Sequence, residues 1–147
     1  MGEFSSRKVD GLRKHRDIPG LVQALEHGRQ RERRAAANAF IEVPDRRALA
    51  PLVTALRDDD AAVRRNAALA LGEFEDTRPQ SELDAIVEPL LGALDDPTPL
   101  VRASAASALG RMKSALATEP LDRLRRDDAD ELVRRTAAAV LRGFPPS

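Results

Sequence analysis

Val63-Arg64-Arg65-Asn66-Ala67-Ala68-Leu69-Ala70-Leu71-Gly72 decides the fold, because it returns as Val101-Arg102-Ala103-Ser104-Ala105-Ala106-Ser107-Ala108-Leu109-Gly110. A looser copy runs from Val133 to Leu141 with Arg134 and Arg135, and a divergent one from Glu32 to Phe40 with Arg33 and Arg34. The aligned arginines Arg33, Arg64, Arg102 and Arg134 are 31, 38 and 32 residues apart, a period typical of two-helix repeat units. In the second copy Val63, Ala67, Ala70, Leu71 and Phe74 fall on one stripe of a 3.6-residue period, which predicts a helix (helix B) with that stripe in the core. The matching stripes are Val101, Ala105, Ala108, Leu109 and Met112, then Val133, Ala137, Val140, Leu141 and Phe144. Alanines in the middle let helices approach closely, and the larger side chains fill the wider space near the C-terminal end.

Working outward, a second landmark precedes each arginine by thirteen residues, or fourteen in the last unit: Gly20-Leu21, Pro51-Leu52, Pro89-Leu90 and Pro120-Leu121. Each unit therefore reads as helix A, an acidic turn and helix B. Pro51 predicts a kink or a helix start, since proline lacks the N–H that a helix interior needs. Asp60, Thr98 and Asp130 stand four residues before the arginine, where a side-chain oxygen can cap helix B, and Pro99 suits its first position. The polar insertion at 75–82 accounts for the long spacing and reads as an extended inter-repeat loop. One helix pair cannot bury both its apolar faces, so the pairs are expected to stack.

Composition narrows the function. The 147 residues carry 24 Lys+Arg against 24 Asp+Glu, so there is no basic excess to meet a nucleic-acid backbone, and the only aromatics are four Phe. Without Cys there is no thiolate zinc site and no thiol nucleophile. His15 and His27 are the only imidazoles and neither stands at metal-ligand spacing, and no Gly-x-Ser-x-Gly or phosphate loop occurs. No catalytic constellation and no cofactor are expected. Charged residues interrupt every apolar run and the N-terminus has no basic-then-apolar pattern, which leads us to expect a soluble, cytoplasmic protein. Charge is uneven, however: residues 1–34 hold nine basic and five acidic side chains, a field that could steer an acidic partner or a nucleic-acid backbone to the first unit.

The prolines of helix A, the acid–arginine pairs six apart (Asp58 and Arg64, Asp96 and Arg102, Asp128 and Arg134) and the Val-Arg-x-x-Ala-Ala-x-Ala-Leu-Gly runs together resemble HEAT-like repeats of the phycobilisome-lyase type. The resemblance implies an all-α, right-handed α-solenoid of about four antiparallel helix pairs, in which these aspartates and arginines form a structural ladder between neighbouring repeats. It implies a short N-terminal tail and capping helix over 1–16, around Arg7–His15 with Val9 and Leu12, and one repeat domain over 17–144. The units are 17–43, 44–80, 81–113 and 114–144, with a tail at 145–147. The first unit departs from the pattern, with His27 in the acid's place and Glu32 in valine's.

Solenoids of this kind line their concave side with the B helices. The face opposite the core stripe carries Arg34, Asn38, Arg65, Leu69, Ser107, Arg135 and Arg142 with alanines between them. Two readings stand side by side: a shallow trough in which arginines hold a partner's carboxylates, and a merely solvated face. The first makes the chain a non-enzymatic scaffold for another protein with an acidic or helical segment. The resemblance also allows a lyase-like or chaperone-like accessory acting on a tetrapyrrole-bearing partner. Binding nucleic acid through the basic first unit, as in HEAT-like DNA glycosylases, is disfavoured by the lack of Trp and Tyr. No membrane partner is expected, and self-association through the solenoid ends is a further option.

Overall fold

The computed structural model describes residues 6–74 and 80–144, which are helical without a strand among them. The N-terminal 1–5, most of the polar insertion (75–79) and the tail 145–147 lie outside the described residues. Two compact units are formed, Met1–Phe74 and Glu75–Ser147. The first holds α1 (Ser6–Lys14), α2 (Ile18–His27), α3 (Gln30–Glu42), α4 (Leu49–Ala55) and α5 (Ala61–Gly72). The second holds α6 (Gln80–Ala93), α7 (Pro99–Arg111), α8 (Thr118–Asp127) and α9 (Glu131–Arg142).

Helices A and B pack as the repeat requires: α2 with α3 and α4 with α5 in the first unit, α6 with α7 and α8 with α9 in the second. Helix B of one repeat lies on helix B of the next within each unit, α3 on α5 and α7 on α9. The core stripe is buried where the period put it, with Val63, Ala67, Leu71, Val101, Ala105, Leu109, Val133 and Ala137 fully inaccessible. The helix-A leucines Leu21, Leu52, Leu90 and Leu121 are equally buried, as is Phe40. Phe74, Met112 and Phe144, expected at the C-terminal end of the stripe, are only half-buried, as are Val140 and Leu141 of α9.

The prolines are placed by hydrogen-bond chemistry. Pro51 and Pro120 are the third residues of α4 and α8, each after a 3₁₀ turn (Arg46–Ala48 and Ala115–Ala117), so they open the helix rather than kink it. A first helical turn has no acceptor for its N–H groups, so proline loses nothing there. Pro89 differs, lying inside α6. Helix α6 also absorbs the end of the expected loop: Gln80-Ser81-Glu82 form its first turn, where the Glu82 charge suits the positive end of the helix dipole. Asp60 and Asp130 cap α5 and α9 by accepting from the Val63 and Val133 N–H groups at 3.1 and 3.2 Å. Thr98 holds the equivalent position without a capping bond from its side chain, and Pro99 opens α7 beside it.

Helix α1 ends as the B helix α7 does. Arg16 and Lys113 adopt left-handed φ of 53° and 51°, and the next N–H reaches back five residues, Asp17 to Leu12 at 2.8 Å and Ser114 to Leu109 at 3.5 Å. With Val9 buried and α1 packed on α2 and α3, this helix takes the place of a B helix ahead of the first full pair.

Close packing of B helices makes one glycine essential. A Cβ on Gly110 would lie 2.6 Å from Val140 Cγ1 of α9, and valine cannot rotate away freely. Replacing a helical glycine by alanine ordinarily stabilises by about 0.5–1 kcal/mol, but overpacking costs about 1–3 kcal/mol. We therefore expect Gly110→Ala to destabilise, read as a lower urea midpoint at unchanged slope; a raised midpoint would show that α9 yields easily.

Candidate functional site

Each repeat's acidic turn is built around one aspartate. Asp58, Asp96 and Asp128 each accept the N–H two residues on, from Asp60, Thr98 and Asp130, at 2.9 Å in all three turns. This fixes the carboxylate, and those of Asp58 and Asp128 meet an arginine of the preceding repeat. Arg33 of α3 meets Asp58 through Nε at 2.8 Å and Nη2 at 3.1 Å, and Arg102 of α7 meets Asp128 through the same two atoms at 2.9 Å each. The arginine's remaining nitrogen holds its own turn: Arg33 Nη1 donates to the Gly28 carbonyl, and Arg102 Nη1 to those of Asp96 and Pro97. Arg64 and Arg134 do the same toward Asp58 and Asp59, and toward Asp128 and Ala129.

The pairs six apart in sequence thus meet through the aspartate's backbone carbonyl, while the carboxylates of Asp58 and Asp128 are taken by Arg33 and Arg102 of the repeat before. Burial alone would raise the Asp58 and Asp128 carboxyls, but the arginine and turn N–H bonds outweigh it and hold both below the usual carboxylate range. Hydrogen bonds to Asp58 and Asp128 in turn raise the Arg33 and Arg102 guanidinium groups. Arg33 was absent from the expected ladder because its own unit lacks the acid; the following unit supplies it.

Arg34, expected among the partner-binding residues, is committed elsewhere. Its Nε and Nη2 reach Asp60 at 2.7 and 2.6 Å, and Gln30 Nε2 adds a bond at 2.8 Å. Asp60 is buried as the cap of α5, so its charge needs partners, and Arg34 foremost among them drives its carboxyl far down. This second rung joins α3 to α5.

The expected trough of small residues is corrected as well. Ala37, Ala68, Ala103 and Ala106 are buried, because the B helices pack tightly against each other as well as against their A helices. Only Ala139 of that set is exposed, with Ala138 half-buried. What remains at the surface is Asn38, Arg65, Arg135 and Arg142, with Leu69 and Ser107 half-buried. Arg135 pairs with Glu131 one turn earlier at 2.8 Å, whereas Arg65 and Arg142 make no ion pair among the described residues. Leu100 and Leu132, at the second position of α7 and α9, stay about half exposed at 47% and 49%. The sequence signal for them was their place beside the core valines, outside the stripe.

Both histidines are exposed, and the carboxylate within ion-pair distance of His27 is that of Glu26, at 3.8 Å. Among the described residues no three His, Asp or Glu gather as a metal site would require, and no helix is long and apolar enough to cross a membrane. A cleft of about 530 Å³ between the ends of α2 and α4 is lined by His27, Arg57 and the Arg33–Asp58 pair, so one wall belongs to the ladder.

Comparison with known proteins agrees with this architecture. A family model for HEAT repeats matches residues 18–88 and 80–142. No curated protein sequence matches the chain. The solved complex of CpcE and CpcF of phycocyanin lyase from Nostoc sp. is similar with a TM-score of 0.79 and 22% identity, over 90% of this chain and 86% of that one. A designed armadillo repeat protein in complex with the peptide (KR)4 gives 0.74 and 22%, over 96% and 70%. Human deoxyhypusine hydroxylase, in complex with glycerol, gives 0.68 and 23%, over 94% and 54%. At such identities these likenesses speak for the fold, an all-α solenoid type of stacked helix pairs. With the ladder, the opening prolines and the family match over most of its length, the chain belongs to the HEAT repeat family.

Proposed function

We propose that the chain is a non-enzymatic scaffold that binds an acidic or helical segment of another protein on the exposed face of its B helices. The observation that carries this is the residue set left on the B helices of each unit once the alanines are buried: Asn38, Arg65 and the half-buried Leu69 in the first, and Arg135, Arg142 and the half-buried Ser107 in the second. Guanidinium groups hold carboxylates through paired N–H bonds, and the half-exposed Leu100 and Leu132 offer an apolar patch to an amphipathic partner. Arg34 contributes to this face only its outer edge, since Asp60 occupies its donors. The similar designed armadillo protein is in complex with a basic peptide, (KR)4, and arginines on the B helices of this chain would suit a ligand of the opposite sign. Charge reversal, Arg65→Glu with Arg135→Glu, should weaken partner binding at least about tenfold with an unchanged circular dichroism spectrum; undiminished binding would remove the assignment.

The likeness to the CpcE–CpcF complex favours one alternative, an accessory protein acting on a tetrapyrrole-bearing partner. It predicts a shifted bilin absorption band on addition of the protein, and a flat titration disposes of it.

A further inference from the structure

We propose that the turn joining α7 to α8 is a docking knuckle for an acidic segment of a partner protein that carries an apolar side chain. Within each unit one turn leads from a B helix to the next A helix, and the two align residue by residue, Glu42 to Ala48 in the first unit and Arg111 to Ala117 in the second. Each ends in a 3₁₀ turn whose last alanine, Ala48 or Ala117, is fully buried. The first turn satisfies its charges locally: Glu42 meets Arg13, and Arg47 donates from Nε and Nη2 to Asp45 at 2.9 and 3.0 Å. In the second, Arg111 stands in the place of Glu42, Lys113 in that of Pro44, Ser114 in that of Asp45 and Leu116 in that of Arg47. Both acids are gone, and the chain holds no acidic residue between Asp96 and Glu119.

Leu116 is 62% exposed, more than any other large apolar side chain among the described residues. Arg47 is equally open, with 63% of its side chain exposed, so the openness belongs to the turn itself. Lys113 makes no ion pair among the described residues. Its backbone is left-handed, with φ of 51°, and the Lys113 and Ser114 N–H groups donate to the Gly110 and Leu109 carbonyls at 3.1 and 3.5 Å. The Ala117 N–H closes the 3₁₀ turn on the Ser114 carbonyl at 3.1 Å. Ammonium and leucine thus stand on a fixed loop, and little chain freedom is lost when a partner covers them. Positive charge without a local acid selects carboxylates, and the exposed leucine gains from an apolar cover. A lipid surface fits less well, because stable anchoring takes an acyl chain or a cluster of about four to eight basic residues. The occupant is therefore a protein segment, and this docking does not depend on the B-helix-face reading.

The probe is a blocked hexapeptide of four glutamates and two leucines, titrated into the full chain. The Leu116 methyl and Lys113 amide resonances should move while those of Arg46 and Arg47 stay in place. Affinity should fall at least about tenfold for Leu116→Ser and about threefold for Lys113→Asn, asparagine being at ease in the left-handed backbone. A peptide with lysines in place of the glutamates should bind at least about tenfold more weakly. Leu116 methyls unmoved at millimolar peptide, equal affinity for Leu116→Ser with an unchanged circular dichroism spectrum, or equal binding of the lysine peptide overturns the proposal. Equal weakening by Arg65→Glu overturns it in favour of the B-helix face. Leu116-dependent sedimentation with phosphatidylserine vesicles, without a response to the peptide, overturns it in favour of a membrane surface.

Discussion

Asp128→Ala should lower the unfolding free energy by about 3 kcal/mol, within the cost of stripping one partner from a largely buried ion pair. The carboxylate is 6% exposed and the Arg102 side chain 15%, so solvent replaces little of what is lost. The same substitution removes the bond that fixes the Asp130 N–H and with it the approach to the α9 cap. Arg102 keeps its two carbonyl acceptors, which places the loss at the lower end of that range. A double-mutant cycle with Arg102→Ala should return a coupling of about 1–3 kcal/mol, and additive effects would show that the rung is ornamental. The pH dependence has a definite sign. Asp58, Asp60 and Asp128 are held below their unfolded values, so their contribution is complete above about pH 4 and is lost as pH falls through the lowered folded values. Urea midpoints should therefore decline on acidification below about pH 4, and the decline should be shallower in Asp128→Ala.

Glu32→Val should stabilise the protein by about 1–3 kcal/mol, the cost of keeping an unsatisfied polar group buried. Glu32 is 8% exposed, and its Oε2 finds no hydrogen-bond partner among the described residues. The aligned residues Val63, Val101 and Val133 are completely buried, so the position is built for an apolar β-branched side chain. The location in the first turn of α3 offsets part of the cost through the helix dipole, which bounds the gain. Space is tight on one side, where a Cβ on Gly28 would lie 2.8 Å from Glu32 Cβ and 2.3 Å from the Ala24 carbonyl; Gly28 must therefore remain glycine in the variant. Glu32→Gln separates the causes. A gain with glutamine points to the charge, and a gain confined to valine points to the polar atoms as a whole. A valine variant less stable than the parent would mean that the carboxylate contributes through the helix terminus more than its burial costs.

Much of this molecule was legible in the chain because helical repeats are a one-dimensional code. Spacing fixed the register of four helix pairs, the period of 3.6 picked out Val63, Leu71, Leu109 and Val133 as core, and Asp60 and Asp130 announced helix starts. These are local consequences of backbone geometry, which each segment carries in itself. The exceptions are instructive. Thr98 has the right chemistry for a cap yet makes no such bond, and Gln80-Ser81-Glu82 are polar yet helical, because propensity is only a weak bias.

Tertiary structure alone decided the pairing. The arginine six residues from an aspartate touches its backbone, while the carboxylate bonds an arginine about 25 residues earlier, Arg33 for Asp58 and Arg102 for Asp128. Sequence distance could not rank these contacts, since a turn brings both arginines within reach and only the packing of one B helix on the next determines which atoms meet. The same packing buried Ala37, Ala68, Ala103 and Ala106 and tied Arg34 to Asp60. The sequence by itself determined a stack of helix pairs with balanced charge. The close approach of its helices determined which of those charges hold the stack together and which face outward.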